Sequence, residues 1–381
     1  MSVNHRPAVG ISEERDQTYF GYYGTLAHQQ NMLMDQVRTS AYHEAIIGNP
    51  QDFAGKVVLD IGTGTGILSF FAVSAGARKV YAVEASDMAL KAQMLVEHNG
   101  LSDKIQVIRG RIENVELPEK VDVIISEPMG VMLVHERMME SFIVGRDRFL
   151  KPAGRDGEIL PCQIYPSSAS IFLAPYSDIN WYADAVQKID YWNNANFYGV
   201  DMRCLREAAA KSHFSQVIVG PIDPKTLMAP AKVFKFDFTR ISRSYIESFS
   251  LGFSSSFHKT GIVHGIAGWF NVTFSGSLLE KVLSTDPNNE TTHWYQAKFP
   301  LRDPLAVNTD QCLTCQLDFE ANNQRSHNVH LELQLDMFQP SIKLDFAMQD
   351  QMYWSLAGPI TTSIPEEMLG IYTKGRFSQG L

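Results

Sequence analysis

Little cysteine, no long apolar run and no excess of positive charge characterise this 381-residue chain. Its four cysteines, Cys162, Cys204, Cys312 and Cys315, are too few for a disulfide scaffold, and only the last two form a C-x-x-C pair. A structural zinc site needs about four ligands, and no second pair or His-x-His cluster follows, so no metal is expected. The thiols read as reduced and mostly buried. No apolar run approaches the ~20 residues that span a bilayer. Met1 to Asp16 is polar and charged, with no signal-like core, so no membrane association is expected. Lys and Arg number 33 against 42 Asp and Glu, a net charge of −9. That argues against direct nucleic-acid binding, which favours a basic face. At 45% hydrophobic and 20% charged residues the chain can bury real cores and is not disordered. Its length suits two modest domains.

What is present falls into two patterns. From about Asp52 to Leu150 short apolar strands alternate with helices. Val57-Val-Leu59, Lys79 to Val83, Ile105 to Ile108 and Val121 to Ile125 read as strands. Ile67 to Ala75 and Asp87 to Asn99 read as helices, each closed by a glycine. This alternation implies a parallel sheet covered on both faces. Beyond Lys151-Pro-Ala-Gly154, up to about Asp345, apolar and polar residues alternate, as in Val233 to Phe238 and His330 to Leu335. Period two marks antiparallel strands with one buried face. The expected units are a helical segment 1–50, an α/β domain 51–153 and a β-rich domain 154–381. Within the last, about 180–214 is helical in tone and carries Trp181, Tyr182, Tyr191, Trp192, Phe197 and Tyr198. So many large aromatics outside a strand pattern suggest an interaction arm. The tail after Gln339 carries no signal.

The first strand runs into a turn, Val57-Val-Leu-Asp-Ile-Gly62-Thr-Gly64-Thr-Gly66-Ile67. Glycines there let the backbone approach a nucleotide at a helix N-terminus. The dinucleotide fingerprint wants a sixth-place glycine, and Ile67 stands there, which counts against a nicotinamide dehydrogenase. The G-x-G-x-G form resembles the turn of Rossmann-like S-adenosylmethionine methyltransferases. Glu84, ending the second strand, is placed to accept from ribose hydroxyls. Glu113 could accept from an adenine amino group, but a loop Glu taken alone is usually just solvated.

Past the fourth strand lie Ser126-Glu127-Pro128-Met129-Gly130 and, after an apolar stretch, His135-Glu136. Ligands of open α/β sheets sit beyond such strand ends. An apolar link between two acids is an odd surface loop, so both should border a dry cleft. Paired carboxylates repel each other there, and one takes up a proton unless a cation comes between them. A guanidinium fits, because its planar donors match two carboxylates. Orientation and electrostatics then supply the catalysis of methyl transfer to its nitrogen.

Tyr19-Phe-Gly-Tyr-Tyr23, Val37-Arg38-Thr39, the glycine turn, Val83-Glu84-Ala85, the Ser126-to-Glu136 stretch and Thr292-His-Trp294 occur in this order between about Asp16 and Met337. Together they resemble the protein arginine methyltransferase family. Pro128, where many members carry Trp, is similar to the coactivator-associated, type I branch. The resemblance implies a Rossmann-like methyltransferase domain followed by a β-barrel-like antiparallel domain with a helical dimerisation arm. It implies methyl transfer from S-adenosylmethionine, leaving S-adenosylhomocysteine, to arginines of proteins such as histones and RNA-binding proteins. The products would be monomethyl and asymmetric dimethylarginine. A homodimer, a role in transcription and a nuclear and cytoplasmic location are implied as well.

By motif, Glu127 and Glu136 are the paired catalytic acids, and His293 should sit behind them. Arg38 should bind the cofactor carboxylate, Glu84 the ribose, and Ile112 and Glu113 the adenine. Gly62, Gly64 and Gly66 form the turn, with Met138 and Ser141 packed close to the cofactor. Tyr19 and Tyr23 belong to a helix over the cofactor that lines the arginine channel, which Met129, His293 and Trp294 should also border. Met32 matches the methionine associated with asymmetric dimethylation. Val131 and His135 depart from the family's usual residues, 154–166 looks inserted, and that branch's N-terminal interaction domain has no counterpart here. A small-molecule methyltransferase would explain the turn and Glu84 but not the paired acids. A non-catalytic scaffold would not need those acids intact.

Overall fold

The computed structural model describes residues 9–336 and 340–354; the rest of the 1–50 and 154–381 segments, and Met337, lie outside it. Four helices precede the first strand: α1 (Glu13–Tyr23), α2 (Leu26–Met34), α3 (Gln36–Ile47) and α4 (Pro50–Phe53). Ser12, Thr25 and Asp35 cap the first three, each side chain accepting from the N–H three residues on. Each bond satisfies a donor that a helix start leaves open.

A parallel sheet follows, with β1 (Val57–Ile61), β2 (Lys79–Glu84), β3 (Ile105–Arg109), β4 (Val123–Ser126) and β5 (Ile164–Tyr165) in the order β3-β2-β1-β4-β5. All of β1 is buried, Asp60 included, as a central strand covered on both faces requires. The connecting helices are α5 (Ile67–Ser74), α6 (Met88–His98) and α7 (Met138–Phe149). Strand order reverses between β1 and β4, and such a switch point opens a crevice at the strands' carboxyl ends. The glycine turn leaves one of these ends and Glu127 the other. The sheet continues to β5, past the Pro152–Gly154 turn at which the sequence pattern changes.

The second sheet holds ten strands: β6 (Ser168–Tyr176), β7 (Gln216–Gly220), β8 (Lys232–Asp237), β9 (Ser248–Ser256), β10 (Gly261–Ser275), β11 (Glu280–Ser284), β12 (Gln296–Val307), β13 (Cys312–Asn322), β14 (Ser326–Leu335) and β15 (Ile342–Tyr353). Nine run in the order β8-β6-β10-β12-β7-β15-β14-β13-β9, and β11 pairs with β10. The result is a nearly closed, barrel-like sheet. It is mixed rather than purely antiparallel, because β15 pairs with β7 in parallel. That strand arises from the tail in which the sequence showed no signal. On β13 exposed and buried residues alternate, so Cys312 and Cys315 point to opposite faces. Only Cys315 of the four thiols is buried, which corrects the expectation of mostly buried cysteines.

The arm consists of α8 (Ile179–Asp190) and α9 (Arg206–Phe214), with a loop between them. Trp181, Ala185 and Ile189, one face of α8, pack on Ala210, Phe214 and Ile218. Trp181 therefore has its partners within the chain, so the aromatic count overstates what the arm offers another surface. The loop is different: Tyr191, Phe197, Tyr198, Val200 and Leu205 are exposed, Tyr198 at 95%. Helix α10 (Arg243–Glu247) packs beside α7.

Candidate active site

A cleft of about 310 Å³ opens at the switch point, lined by the glycine turn, α1, α2, the loop after β3 and the loop after β4. Gly62 and Gly64 have φ of +68° and +55°, a region that side chains disfavour. A Cβ on Gly62 would also lie 2.7 Å from the Met138 methyl, and one on Gly64 2.7 Å from Gln29 Oε1. Glu84 braces the turn: Oε2 accepts from Gly64 N at 2.9 Å and Oε1 from Ser86 N at 2.8 Å. Beneath it, buried Asp60 accepts from Thr63 and Ser69 hydroxyls at 2.6 and 2.7 Å. Burial lifts its pKa to about 6 against those bonds. At the far wall Ile112 is buried, and Ser141 Oγ donates to Glu113 Oε1 at 2.6 Å.

The loop after β4 folds tightly, Gly130 and Leu133 exchanging main-chain hydrogen bonds, and Met129 through Val134 are buried. It then passes through Glu136 and Arg137, whose φ values are +71° and +58°. Such backbone costs roughly 1–3 kcal/mol per residue and persists only where neighbours hold it. Buried Arg137 is one anchor, its Nε and Nη2 donating to Glu140 at 2.5 and 2.9 Å.

The two acids sit in unlike surroundings. Glu127 Oε2 accepts from Arg38 Nε and Nη2 at 3.1 and 3.0 Å. Glu136 Oε2 accepts from the Tyr23 hydroxyl at 2.6 Å and the Tyr19 hydroxyl at 3.3 Å. Burial pushes the Glu136 carboxyl up to about 7; Glu127 adds to the rise, while the tyrosines and Arg325 oppose it. Tyr19 and Tyr23 stay protonated, held well above the usual phenol value by burial and then by Glu136. A carboxyl held up near neutrality beside a second acid that is paired to an arginine suits a proton acceptor working at neutral pH.

The cleft brings together Tyr19, Tyr23, Met32, Arg38, Gly62, Gly64, Glu84, Ile112, Glu113, Glu127, Met129, Glu136, Met138 and Ser141. Gly66, at the α5 N-cap, is not in its lining. His293 and Trp294 are not in its lining; His293 stands behind it, as expected of its motif. His293 donates from its main-chain N to Asp35 Oδ2 at 2.9 Å, and its Nδ1 lies 2.6 Å from the same oxygen. Asp35 in turn caps α3 at Arg38 N. Burial works against the Asp35 charge, but the His293 and backbone bonds pull its pKa below the ordinary value. Trp294 Nε1 donates to Met129 O at 2.9 Å from beneath the loop. Both residues thus support the wall that they were expected to form.

Sequence reasoning missed Asp16, Arg111 and Arg325. Asp16, on α1, is 5% exposed and pairs with Arg111 and Arg325, each at 2.5 Å. Asp16 lies 309 positions from Arg325, so no local pattern signals the contact.

The donor set suits an adenosyl amino acid: a carboxylate for hydroxyls at Glu84, a cation at Arg38, and apolar walls with an acceptor at Ile112, Met138 and Glu113. Comparison with known proteins agrees. A family model for the arginine methyltransferase oligomerization subdomain matches residues 167–339, and one for ribosomal protein L11 methyltransferase (PrmA) matches residues 16–140. The chain is 44% identical over 329 residues to probable histone-arginine methyltransferase CARM1 of Oryza sativa subsp. japonica, covering 86% of this chain and 61% of that one. It is 44% identical over 340 residues to probable histone-arginine methyltransferase CARMER of Drosophila melanogaster, covering 88% and 62%. The chain therefore spans about three-fifths of these relatives' length. Among solved structures, Arabidopsis thaliana protein arginine methyltransferase 10 is 35% identical with a TM-score of 0.77, covering 86% of this chain and 99% of that one. The Trypanosoma brucei PRMT1 enzyme-prozyme heterotetrameric complex with AdoHcy is 28% identical with a TM-score of 0.75 and the same coverage.

Proposed function

Because the chain belongs to the protein arginine methyltransferase family, we propose that it transfers methyl groups from S-adenosylmethionine to arginine side chains of other proteins. The observation that carries this reading is the pair of unlike acids facing one cleft, Glu127 paired to Arg38 and Glu136 raised to about 7. Arg38, Glu84, Ile112, Glu113, Met138 and Ser141 would hold the cofactor, which when bound supplies a methyl group on a positively charged sulfur. Glu127 and Glu136 accept hydrogen bonds from the guanidinium and fix its orientation, which supplies much of the rate. Charge-assisted, planar contacts of this kind select arginine over lysine. Near neutrality Glu136 is poised to hold the proton that the guanidinium releases. Tyr19 and Tyr23 close over it and exclude water.

Met32 on the cleft wall supports asymmetric dimethylarginine as end product, the type I outcome. Histone tails are the first substrates to test, given the histone-arginine methyltransferase names of the relatives, with RNA-binding proteins second. The exposed arm loop supports a homodimer. A nuclear and cytoplasmic location with a role in transcription follows from such substrates. Labelled methyl transfer to an arginine-rich peptide, with mass analysis of the product, tests the reading. Transfer to lysine or to small molecules alone would refute it.

A further inference from the structure

Arg325 lies in the turn between β13 and β14, far from the Rossmann-like sheet in sequence, yet its side chain lines the cleft. Its Nη1 donates to the main-chain oxygen of Glu136 at 3.0 Å, and its Nε meets Asp16 Oδ1 at 2.5 Å. The guanidinium centre stands 4.1 Å from the Tyr19 ring centre and 4.9 Å from that of Phe20. One side chain therefore touches the backbone of an acid, the helix that covers the cleft, and the tyrosine that bonds the acid's carboxylate. The same turn grips both neighbours of Glu136. Ser326 Oγ lies 2.9 Å from His135 Nδ1, and Asn322 O accepts from Arg137 Nη1 at 2.7 Å. Left-handed backbone at Glu136 and Arg137 needs this kind of over-determined support.

We propose that Arg325 is a positioning residue that ties closure of α1 over the cofactor to the posture of Glu136. The guanidinium site is then complete only when the lid is shut. This rests on the reading of Glu136 as an acid that receives the substrate arginine. Arg111, after β3, supplies the control: it pins the same Asp16 and stacks on Phe20 at 4.9 Å, with no hydrogen bond to Glu136. The charged and titratable groups that face Glu136 are Tyr19 and Tyr23 from α1, Glu127 from the loop after β4, Tyr353 from β15, and Arg325. Removing Arg325 withdraws the one cation among them.

The experiment compares Arg325→Ala, Arg325→Lys and Arg111→Ala in the full chain. It reads the Kd for S-adenosylhomocysteine by calorimetry, kcat, and the pH at which kcat/KM for an arginine-rich peptide falls on the acid side. Arg325→Ala is expected to lower kcat about ten- to a hundredfold, as a misplaced acid does, and to move the acid limb up by about one pH unit. Arg111→Ala should weaken cofactor binding and leave the limb in place. Arg325→Lys should restore the limb without the full kcat. If Arg325→Ala shows no cooperative melting transition, Arg325→Gln takes its place in the comparison. An alanine or glutamine variant that merely weakens cofactor binding, with kcat and limb unmoved, would overturn the proposal and leave Arg325 as a lid pin. A wild-type chain that methylates no arginine would overturn the functional reading as well, and that failure is visible before any variant is made.

Discussion

Binding of an arginine peptide should titrate with Glu136. Burial raises this carboxyl from 4.5 to about 7, a rise corresponding to about 3 kcal/mol of destabilised charge. In the folded protein Glu136 keeps its proton to higher pH than in the unfolded chain. Its contribution to stability is therefore full below about 4.5 and is lost as the pH rises through about 7. A bound guanidinium reverses the balance by pairing with the ionised form. Peptide affinity should therefore level off above roughly pH 8 and fall about tenfold per unit below 7. S-adenosylhomocysteine is the right companion ligand, since its neutral sulfur adds no second cation. Fluorescence anisotropy of a labelled arginine-rich peptide between pH 6 and 8.5 reads the effect. Tyr23→Phe removes the 2.6 Å bond that favours the ionised form, so the midpoint should move to higher pH. A flat profile in the wild type, or the same slope in Glu136→Gln, would refute the reasoning.

Glu136→Gln should lower turnover roughly a hundredfold or more while cofactor affinity, measured by calorimetry, stays close to wild type; near-normal rates would remove Glu136 from the mechanism. The end product should be asymmetric dimethylarginine, and fragmentation spectra that contain only the symmetric isomer would count against the assignment of Met32. Deleting the exposed loop 191–205 should give a monomer in sedimentation with weak cofactor binding, whereas a fully active monomer would uncouple assembly from function. Trp181→Ala acts differently, by emptying the arm's own core, and should cost about 3–5 kcal/mol in a denaturant titration.

What could be read from the sequence was local. The glycine turn, Glu84 and the Glu127–Glu136 loop each lie within one strand–turn–helix connection, and composition at short range announces them. The helical spacing of Trp181, Ala185 and Ile189 was equally present; the aromatic count drew attention away from it, and with it from the arm's internal core. Strand β15 does alternate, Ile342, Leu344, Phe346 and Met348 against Lys343, Asp345 and Gln349; what local pattern does not encode is its parallel pairing with β7, whose register shifts between Ala347 and Met352. The clasp of Asp16, Arg111 and Arg325 joins a helix, a Rossmann-side loop and a barrel turn, and no periodicity encodes a meeting of three such distant segments. The motif placed His293 behind the acids; the partners through which it and Trp294 act there, Asp35 and Met129, lie far off in sequence and needed the fold.

Arg38 and Glu127 hold each other at 3.0 Å, nearly out of water. With the Glu136 carboxyl pushed up to about 7, about half of it carries a proton at neutrality, and the Arg38 charge is already answered by Glu127. Under the proposed function, a cofactor carboxylate at Arg38 would upset that balance and leave Glu127 facing the channel with its charge unanswered. A guanidinium that came next would then meet an unpaired carboxylate, while one that came first would meet Glu127 already engaged by Arg38. Under the proposed function this charge count predicts that the nucleoside binds before the protein substrate, an order that product-inhibition patterns would read.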